Sequence, residues 1–211
     1  TAVALIVEYE TPDLLALCLA SLKRFAPEVL RIVLHGREGA AAHAEAIEWA
    51  RELRILGDTE TVILLDTDVV ILSDDWWPWV EASLKDVSAV GGLRHRGDVT
   101  QLYCEGTLLL HAHCLAMRRD LFEAVLSFKA YGAWDTAWEV TRLAQLHRPK
   151  FSGVFAVVPS SFAGWPSRVG LYTPVHDAPS YWAHLGRGTS FRPRGPWREG
   201  LRRVAAACGS P

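Results

Sequence analysis

The stretch VILLDTDVVIL, residues 62 to 72, does most to decide how this sequence folds. It is apolar except for Asp66, Thr67 and Asp68. A short apolar run of this kind predicts a buried strand. Two carboxylates in such a strand are costly unless something binds them. The stretch therefore predicts a strand whose acidic pair holds a ligand.

The sequence before this stretch predicts alternating strands and helices. Residues 2–7 and 31–36 are apolar runs typical of buried strands, and 62–66 forms a third such run. Between the first and second strands, Pro12 suits the first turn of a helix that Thr11 would cap. Between the second and third strands, a second helix follows Gly39. A β-α-β-α-β order predicts a parallel sheet with right-handed crossovers, so we expect an α/β fold.

The remaining sequence predicts further elements and then mostly loops. The expected elements are a capped helix after Ser73, strands over 88–95 and 106–119, helices over 119–128 and from about Asp135, and a strand over 154–159. From Ser160 onward the chain is rich in Gly, Pro, Ser, Trp and Arg, which predicts loops. Within this region, Gly186, Gly188 and Thr189 suggest a mobile flap over a ligand.

Composition narrows the function classes. The chain has 211 residues, of which 50% are hydrophobic, so it can bury a full core. A formal net charge of −2 argues against a protein that coats nucleic acid. The four cysteines form no Cys-x-x-Cys pair, which predicts reduced thiols and no zinc site. No apolar run reaches the ~18 residues of a membrane helix, so we expect a cytoplasmic protein without a transmembrane segment.

Polar residues follow each of the first three predicted strands. Because ligands bind at the carboxyl ends of parallel strands, we expect residues 8–11, 35–39 and 66–68 to lie close together. Two carboxylates at such a position suit a hard divalent cation that would neutralise a diphosphate leaving group. The nearby Asp74 and Asp75 are interpreted as helix-start charges.

Five stretches, in this order, resemble the GT-A glycosyltransferases, especially the inverting group called family 2. They are YETPDLLALCLASLKRFAP, GREGAAAHAEAI, ILLDTDVVI, GTLLLHAHCLAMRRDLFEAV with AWDTAWEVTRLAQ, and HLGRGTS. The resemblance implies a GT-A fold, with a mostly parallel central sheet flanked by helices and a loop-rich C-terminal segment. It also implies one domain over residues 1–211, with a nucleotide-binding half over about 1–72 and an acceptor half with a C-terminal flap over about 73–211.

The resemblance also implies a metal site and a donor site. Asp66, Asp68 and His184 would bind Mn²⁺ or Mg²⁺, and a histidine ligand fits Mn²⁺ better. His176 is the competing histidine. The donor would be a nucleoside-diphosphate sugar, with a UDP-sugar favoured. The residues expected to bind this donor are Glu8, Tyr9, Glu10, Thr11, His35, Arg37, Asp66, Thr67, Asp68, His113, Trp134, Arg187 and Ser190.

The catalytic base implied by the resemblance is Asp135. It would deprotonate the acceptor hydroxyl, and the direct displacement would invert the anomeric centre. Trp134 stands where the family usually has Glu. Two alternatives stay open: Asp135 is the N-cap of the next helix, or Glu139 takes the role of base.

Other interpretations of the same residues stay open. His35 and Arg37 stand where many members have an Asp-rich turn, which leaves the nucleotide base unassigned. The acceptor is a hydroxyl of unknown class: a glycan, a small molecule, or a nucleic acid or lipid phosphate recruited by the Arg-rich tail over 192–203. The alternative functions are a non-catalytic binding module and a sugar-phosphate nucleotidyltransferase of the same fold.

Overall fold

The structure is a computed structural model that describes residues 1–37, 40–93, 110–128, 137–145 and 182–184. The strands in these ranges are β1 (Ala2–Glu8), β2 (Leu30–His35), β3 (Thr61–Asp66), β4 (Val69–Ile71), β5 (Ala89–Leu93), β6 (Leu110–Arg118) and β7 (Trp182–His184). The helices are α1 (Pro12–Phe25), α2 (Ala40–Glu52), α3 (Trp76–Leu84), α4 (Arg119–Ala124) and α5 (Trp138–Gln145). None of these described helices is long and apolar enough to cross a membrane.

A five-stranded sheet in the order β2-β1-β3-β6-β5 forms the centre of the fold. Strand β1 runs parallel to both β2 and β3, as the β-α-β-α-β pattern predicts. Strand β6 runs antiparallel to β3 and to β5, so four strands share one direction and one opposes them. The predicted α/β fold with a mostly parallel sheet is confirmed.

Both faces of the sheet are covered, which explains why β1 is apolar throughout. Val3, Leu5 and Val7 face a core that includes Ala44 and Ile47 of α2. The alternate β1 residues, Ala4 and Ile6, face a second core that includes Cys18 and Leu22 of α1. A strand buried on both faces reads as a continuous apolar run rather than an alternating one. Helices α1 and α2 therefore lie on opposite faces of the sheet.

The stretch from 62 to 72 is two strands and not one. Strand β3 ends at Asp66, residues 67 and 68 form a turn, and β4 leaves the central sheet. Strand β4 pairs antiparallel with β7, so that Val69 lies opposite His184 and Ile71 opposite Trp182. The sequence is apolar again after the turn because β4 is itself buried, in the core on the α1 side of the sheet.

Two helices differ from their predicted bounds. The helix predicted over 119–128 ends at Ala124, because α2 binds the backbone that follows: Glu48 accepts the Phe128 N–H at 2.9 Å, and Arg51 donates to the Val125 carbonyl. Helix α5 begins at Trp138 rather than at Asp135. The strand predicted over 154–159 lies outside the described residues.

Candidate functional site

The first three strands end side by side. Glu8 at the end of β1 pairs in register with His35 at the end of β2, and Val7 pairs with Asp66 at the end of β3. Neighbouring strands lie about 4.8 Å apart, so these ends form one continuous edge. Residues 8–11, 35–39 and 66–68 were predicted to lie close together because they follow the carboxyl ends of these strands, and the structure brings their described parts together. Residues 38 and 39 lie outside the described part of the chain.

Glu8 connects the ends of β1 and β2. Its Oε1 accepts the backbone N–H of Thr11 at 2.8 Å, and its Oε2 lies 3.3 Å from Nδ1 of His35. The Glu8 side chain is 14% exposed, whereas that of His35 is 81% exposed. Between Glu8 and Thr11 the chain bends, and Glu10 takes a positive φ of 49°, a conformation that is uncommon for a residue with a side chain. Glu10 and His35 therefore present their side chains to solvent at this edge.

Thr11 occupies the N-cap position of α1, as predicted, but its side chain makes no capping hydrogen bond. Its Oγ1 lies 2.9 Å from Oγ1 of Thr67, in a buried hydrogen bond between the start of α1 and the acidic turn. Pro12 does occupy the start of the helix, as predicted. The hydroxyl of Thr11 serves a contact 56 residues away instead of its own helix.

The two carboxylates differ in exposure. The Asp66 side chain is 28% exposed, while Asp68 as a residue is only 7% exposed. Nδ1 of His43, in the first turns of α2, lies 3.7 Å from Oδ1 of Asp66. This distance is too long for a hydrogen bond but within reach of an ion pair when His43 is protonated. The sequence analysis missed His43, whose only signal was a single polar side chain in the Ala-rich start of α2.

Two buried thiols lie behind the acidic turn. Sγ of Cys18 is 3.8 Å from the Asp66 carbonyl oxygen. Burial raises the pKa of Cys18 well above its ordinary value, and the carboxylates of Asp68 and Asp66 raise it further. Burial likewise raises the pKa of Cys114, with smaller contributions from Cys18 and Asp66. Burial therefore favours the protonated form of both thiols, which makes them poor thiolate nucleophiles.

Strand β7 brings its residues next to the acidic turn. The β4–β7 register places the backbone of His184 opposite Val69, the residue that follows Asp68. Trp182 of the same strand is buried, and its ring centroid lies 5.3 Å from that of His113. His113 itself is fully buried in β6. The predicted donor-binding residue His113 thus lies in the interior and supports β7.

A groove of about 450 Å³ extends the site beyond β2. Residues from the end of β2 form one side, and residues of α2 form the other. The lining residues are Val33, Leu34, His35, Gly36, Arg37, Ala42, Glu45, Ala46 and Trp49. Trp49 is 55% exposed. An exposed aromatic ring opposite basic side chains suits a flat ring with a polar edge. Sequence analysis did not single out Trp49.

The described side chains contain no group of three or more His, Cys, Asp or Glu arranged to hold a metal ion. Asp66 and Asp68 supply two carboxylates, whose hard oxygens are the ligands that Mg²⁺ and Mn²⁺ favour, so this donor set fits the predicted cation. The side chain of His184 falls outside the described part of the chain. So do the other predicted residues Trp134, Asp135, His176, Arg187 and Ser190, the flap glycines and the Arg-rich tail.

No protein-family model and no curated protein matches the sequence. Solved structures do match. The galactosyltransferase LgtC in complex with donor and acceptor sugar analogues is similar with a TM-score of 0.55 and 12% identity, over 98% of this chain and 95% of that chain. An active-site mutant of LgtC gives a TM-score of 0.50 with the same identity and coverage. Glucosyl-3-phosphoglycerate synthase from Mycobacterium tuberculosis gives 0.48 at 12% identity, over 100% of this chain and 80% of that chain. The similarity to LgtC shows that the chain has the GT-A fold.

Proposed function

We propose that this GT-A protein is a glycosyltransferase that moves a sugar from a nucleoside-diphosphate sugar to an acceptor hydroxyl. The observation that carries the proposal is the position of Asp66 and Asp68, at the carboxyl end of β3 and beside the ends of β1 and β2. LgtC, a protein with a similar fold, was solved with donor and acceptor sugar analogues. A UDP-sugar is the donor that the sequence resemblance favours.

In this proposal Asp66 and Asp68 hold Mn²⁺ or Mg²⁺, with His184 as the third ligand. The carboxylate oxygens match the preference of these cations, and the pairing of His184 with Val69 supports its assignment. A bound cation supplies positive charge that stabilises a diphosphate leaving group. Asp68 is only 7% exposed, which supports its role as a cation ligand because a buried carboxylate needs a partner other than bulk water.

The donor would lie across the ends of β3, β1 and β2. Two strand spacings separate β3 from β2, or about 10 Å, which suits a nucleotide with its diphosphate at the acidic turn and its base near the groove. Glu8, Tyr9 and Glu10 would line the middle of this path. His35 and Arg37 would contact the base. Trp134, Arg187 and Ser190 keep their proposed places around the donor, whereas Thr11, Thr67 and His113 are buried and would support the site without contacting the donor.

Asp135 would act as the general base, with inversion at the anomeric carbon. The first backbone hydrogen bond of α5 runs from the Thr141 N–H to the Ala137 carbonyl at 2.9 Å, so Ala137 holds the N-cap position. The assignment of Asp135 as base rests on the sequence resemblance, because Asp135 lies outside the described residues. Glu139, in the first turn of α5, is the other candidate for the role. We keep the division into a nucleotide-binding half over about 1–72 and an acceptor half over about 73–211.

Turnover of donor sugars tests this proposal. Release of nucleoside diphosphate from a panel of UDP-, GDP-, TDP- and CDP-sugars would be measured with Mn²⁺ and candidate acceptors, for the wild type and for Asp68→Asn and Asp135→Asn. We expect Asp68→Asn to lose donor binding and release together, and Asp135→Asn to bind donor but release no diphosphate. Asp74→Asn is the matched control, because Asp74 is an exposed aspartate at the start of α3.

Three results would contradict the proposal. Unchanged release by Asp68→Asn would remove the acidic turn from the reaction. If the wild type binds donor but releases no nucleoside diphosphate under any condition, and Asp135→Asn behaves in the same way, the result would favour a non-catalytic binding module. Formation of a sugar nucleotide from a nucleoside triphosphate and a sugar 1-phosphate would favour a nucleotidyltransferase.

A further inference from the structure

Two buried threonines connect the acidic turn to the start of α1. Oγ1 of Thr11 and Oγ1 of Thr67 are 2.9 Å apart, and the two residues are 3% and 8% exposed. Thr67 is the residue between the two carboxylates, and it lies in the turn that separates β3 from β4. The hydroxyl bond therefore fixes the middle of the acidic turn to a helix on one face of the sheet.

Helix α1 contacts the same segment at two further positions. Ser21 Oγ accepts the N–H of Ile71 at 3.0 Å, in a buried bond at the end of β4. Sγ of Cys18 lies 3.8 Å from the Asp66 carbonyl, at the end of β3. Helix α1 thus contacts the chain before the turn, within it and after it. Of these contacts, the Thr11–Thr67 bond is the one that reaches the turn itself.

Thr11 is not needed as a side-chain cap. Its side chain makes no capping bond, although its backbone takes part in the helix start: Glu8 accepts its N–H, and its carbonyl accepts the Leu15 N–H at 2.9 Å. Serine, threonine, aspartate and asparagine at this position normally cap the helix. The use of the hydroxyl for Thr67 instead indicates that the conformation of the acidic turn is what this contact secures.

We propose that Thr11 and Thr67 are positioning residues that set the relative placement of the Asp66 and Asp68 carboxylates. This inference rests on the proposed function, in which those carboxylates bind a divalent cation. A cation needs its ligands at fixed positions, and the partners that orient ligands contribute strongly to metal affinity. Without the hydroxyl bond, the turn samples arrangements in which the two carboxylates do not meet the same ion.

The test measures Mn²⁺ binding without nucleotide, by calorimetry on folded protein, for Thr11→Val, Thr67→Val and the double variant. Valine keeps the branched shape of threonine and removes the hydroxyl. We expect each single variant to bind Mn²⁺ about tenfold more weakly, at the lower end of effects seen for ligand-orienting groups. Because the two residues share one bond, the double variant should bind no more weakly than the singles. Thr11→Ser keeps the hydroxyl and should bind Mn²⁺ as the wild type does.

Thr141→Val is the matched control. Thr141 is also a buried threonine, and its hydroxyl donates to the Ala137 carbonyl at 2.8 Å within α5. We expect this variant to melt at a lower temperature but to bind Mn²⁺ normally. A role for Thr11 and Thr67 in stability alone would give the same result in their valine variants.

Three outcomes overturn the inference in distinguishable ways. Wild-type Mn²⁺ affinity in both valine variants would refute the positioning role and leave the proposed function intact. Additive losses in the double variant would show that the hydroxyls act separately and not through one bond. Absence of Mn²⁺ binding by the wild type would refute the metal site of the proposed function and the inference with it. If Thr67→Val fails to fold, Thr11→Val and Thr11→Ser decide the question.

Discussion

Removing the carboxylate of Glu8 should destabilise the protein by an amount that follows from its contacts. In Glu8→Ala the N–H of the buried Thr11 loses an acceptor at 2.8 Å. A hydrogen bond to a charged group contributes about 1.5–3 kcal/mol to stability. In a protein of this size, each kcal/mol shifts Tm by about 2–4 °C, so the expected loss is roughly 3–12 °C. Glu8→Gln keeps a neutral acceptor and should lose about half as much, because charge-assisted bonds are about twice as strong as neutral ones.

His35→Ala is the matched control for this prediction. His35 lies 3.3 Å from the same carboxylate, but it is 81% exposed. Exposed ion pairs contribute about 0–1 kcal/mol, so His35→Ala should lower Tm by less than about 4 °C. The assay is thermal unfolding followed by circular dichroism at one pH and salt concentration, without metal or nucleotide. If Glu8→Gln has the same Tm as Glu8→Ala, or if His35→Ala lowers Tm as much as Glu8→Ala does, then the hydrogen bond from the Thr11 N–H to Glu8 is not the source of the stability.

Three further predictions concern the groove, the sheet and the thiols. Trp49→Ala should weaken nucleotide binding, measured by calorimetry, about tenfold. Leu53→Ala, at a similarly exposed position just after the end of α2, should leave binding unchanged, and equal effects of the two variants would remove the groove from the site. Gly91→Ala places a Cβ 3.0 Å from a carbonyl oxygen of β6 and should lower the free energy of unfolding in urea by about 1–3 kcal/mol. Gly57→Ala meets nothing within 4 Å and should lower it by about 1 kcal/mol, because Gly57 has a positive φ. A larger loss for Gly57→Ala than for Gly91→Ala would contradict the packing around Gly91. Burial raises the pKa of Cys18 in the folded state, so the unfolded thiol loses its proton at a lower pH than the folded one. The free energy of unfolding should therefore fall above about pH 8.5, by up to about 1.4 kcal/mol per pH unit. Cys18→Ala should reduce that slope in urea unfolding, and an unchanged slope would refute the raised pKa of Cys18.

The first half of the fold could be predicted because its signals are local. Strands buried on both faces give continuous apolar runs, and Pro12 with the helical spacing after it marks the start of α1. The division of residues 62–72 into β3 and β4 has no local signal, since the residues on both sides of the turn are equally apolar. It depends on pairing with β7, more than a hundred residues later in the chain. The early end of α4 depends likewise on Glu48 and Arg51 of another helix.

The site shows the same limit. The strand-end rule located Glu8, His35 and Asp66, because parallel strands place their carboxyl ends on one edge. It could not locate His43 or Trp49, which reach the edge from α2 through the packing of that helix on the sheet. A histidine or tryptophan in a helix is locally indistinguishable from any other surface residue.

The central claim is that Asp66 and Asp68 bind a divalent cation together with a nucleoside diphosphate. Calorimetric titration of UDP, GDP, TDP and CDP into the wild type and Asp68→Asn, once with Mn²⁺ and once with chelator, tests it most directly. The account predicts that one of these nucleotides binds the wild type in Mn²⁺ and that this binding is lost with chelator and in Asp68→Asn. Absence of binding by every nucleotide, or binding that is unchanged by chelator and by Asp68→Asn, would contradict it.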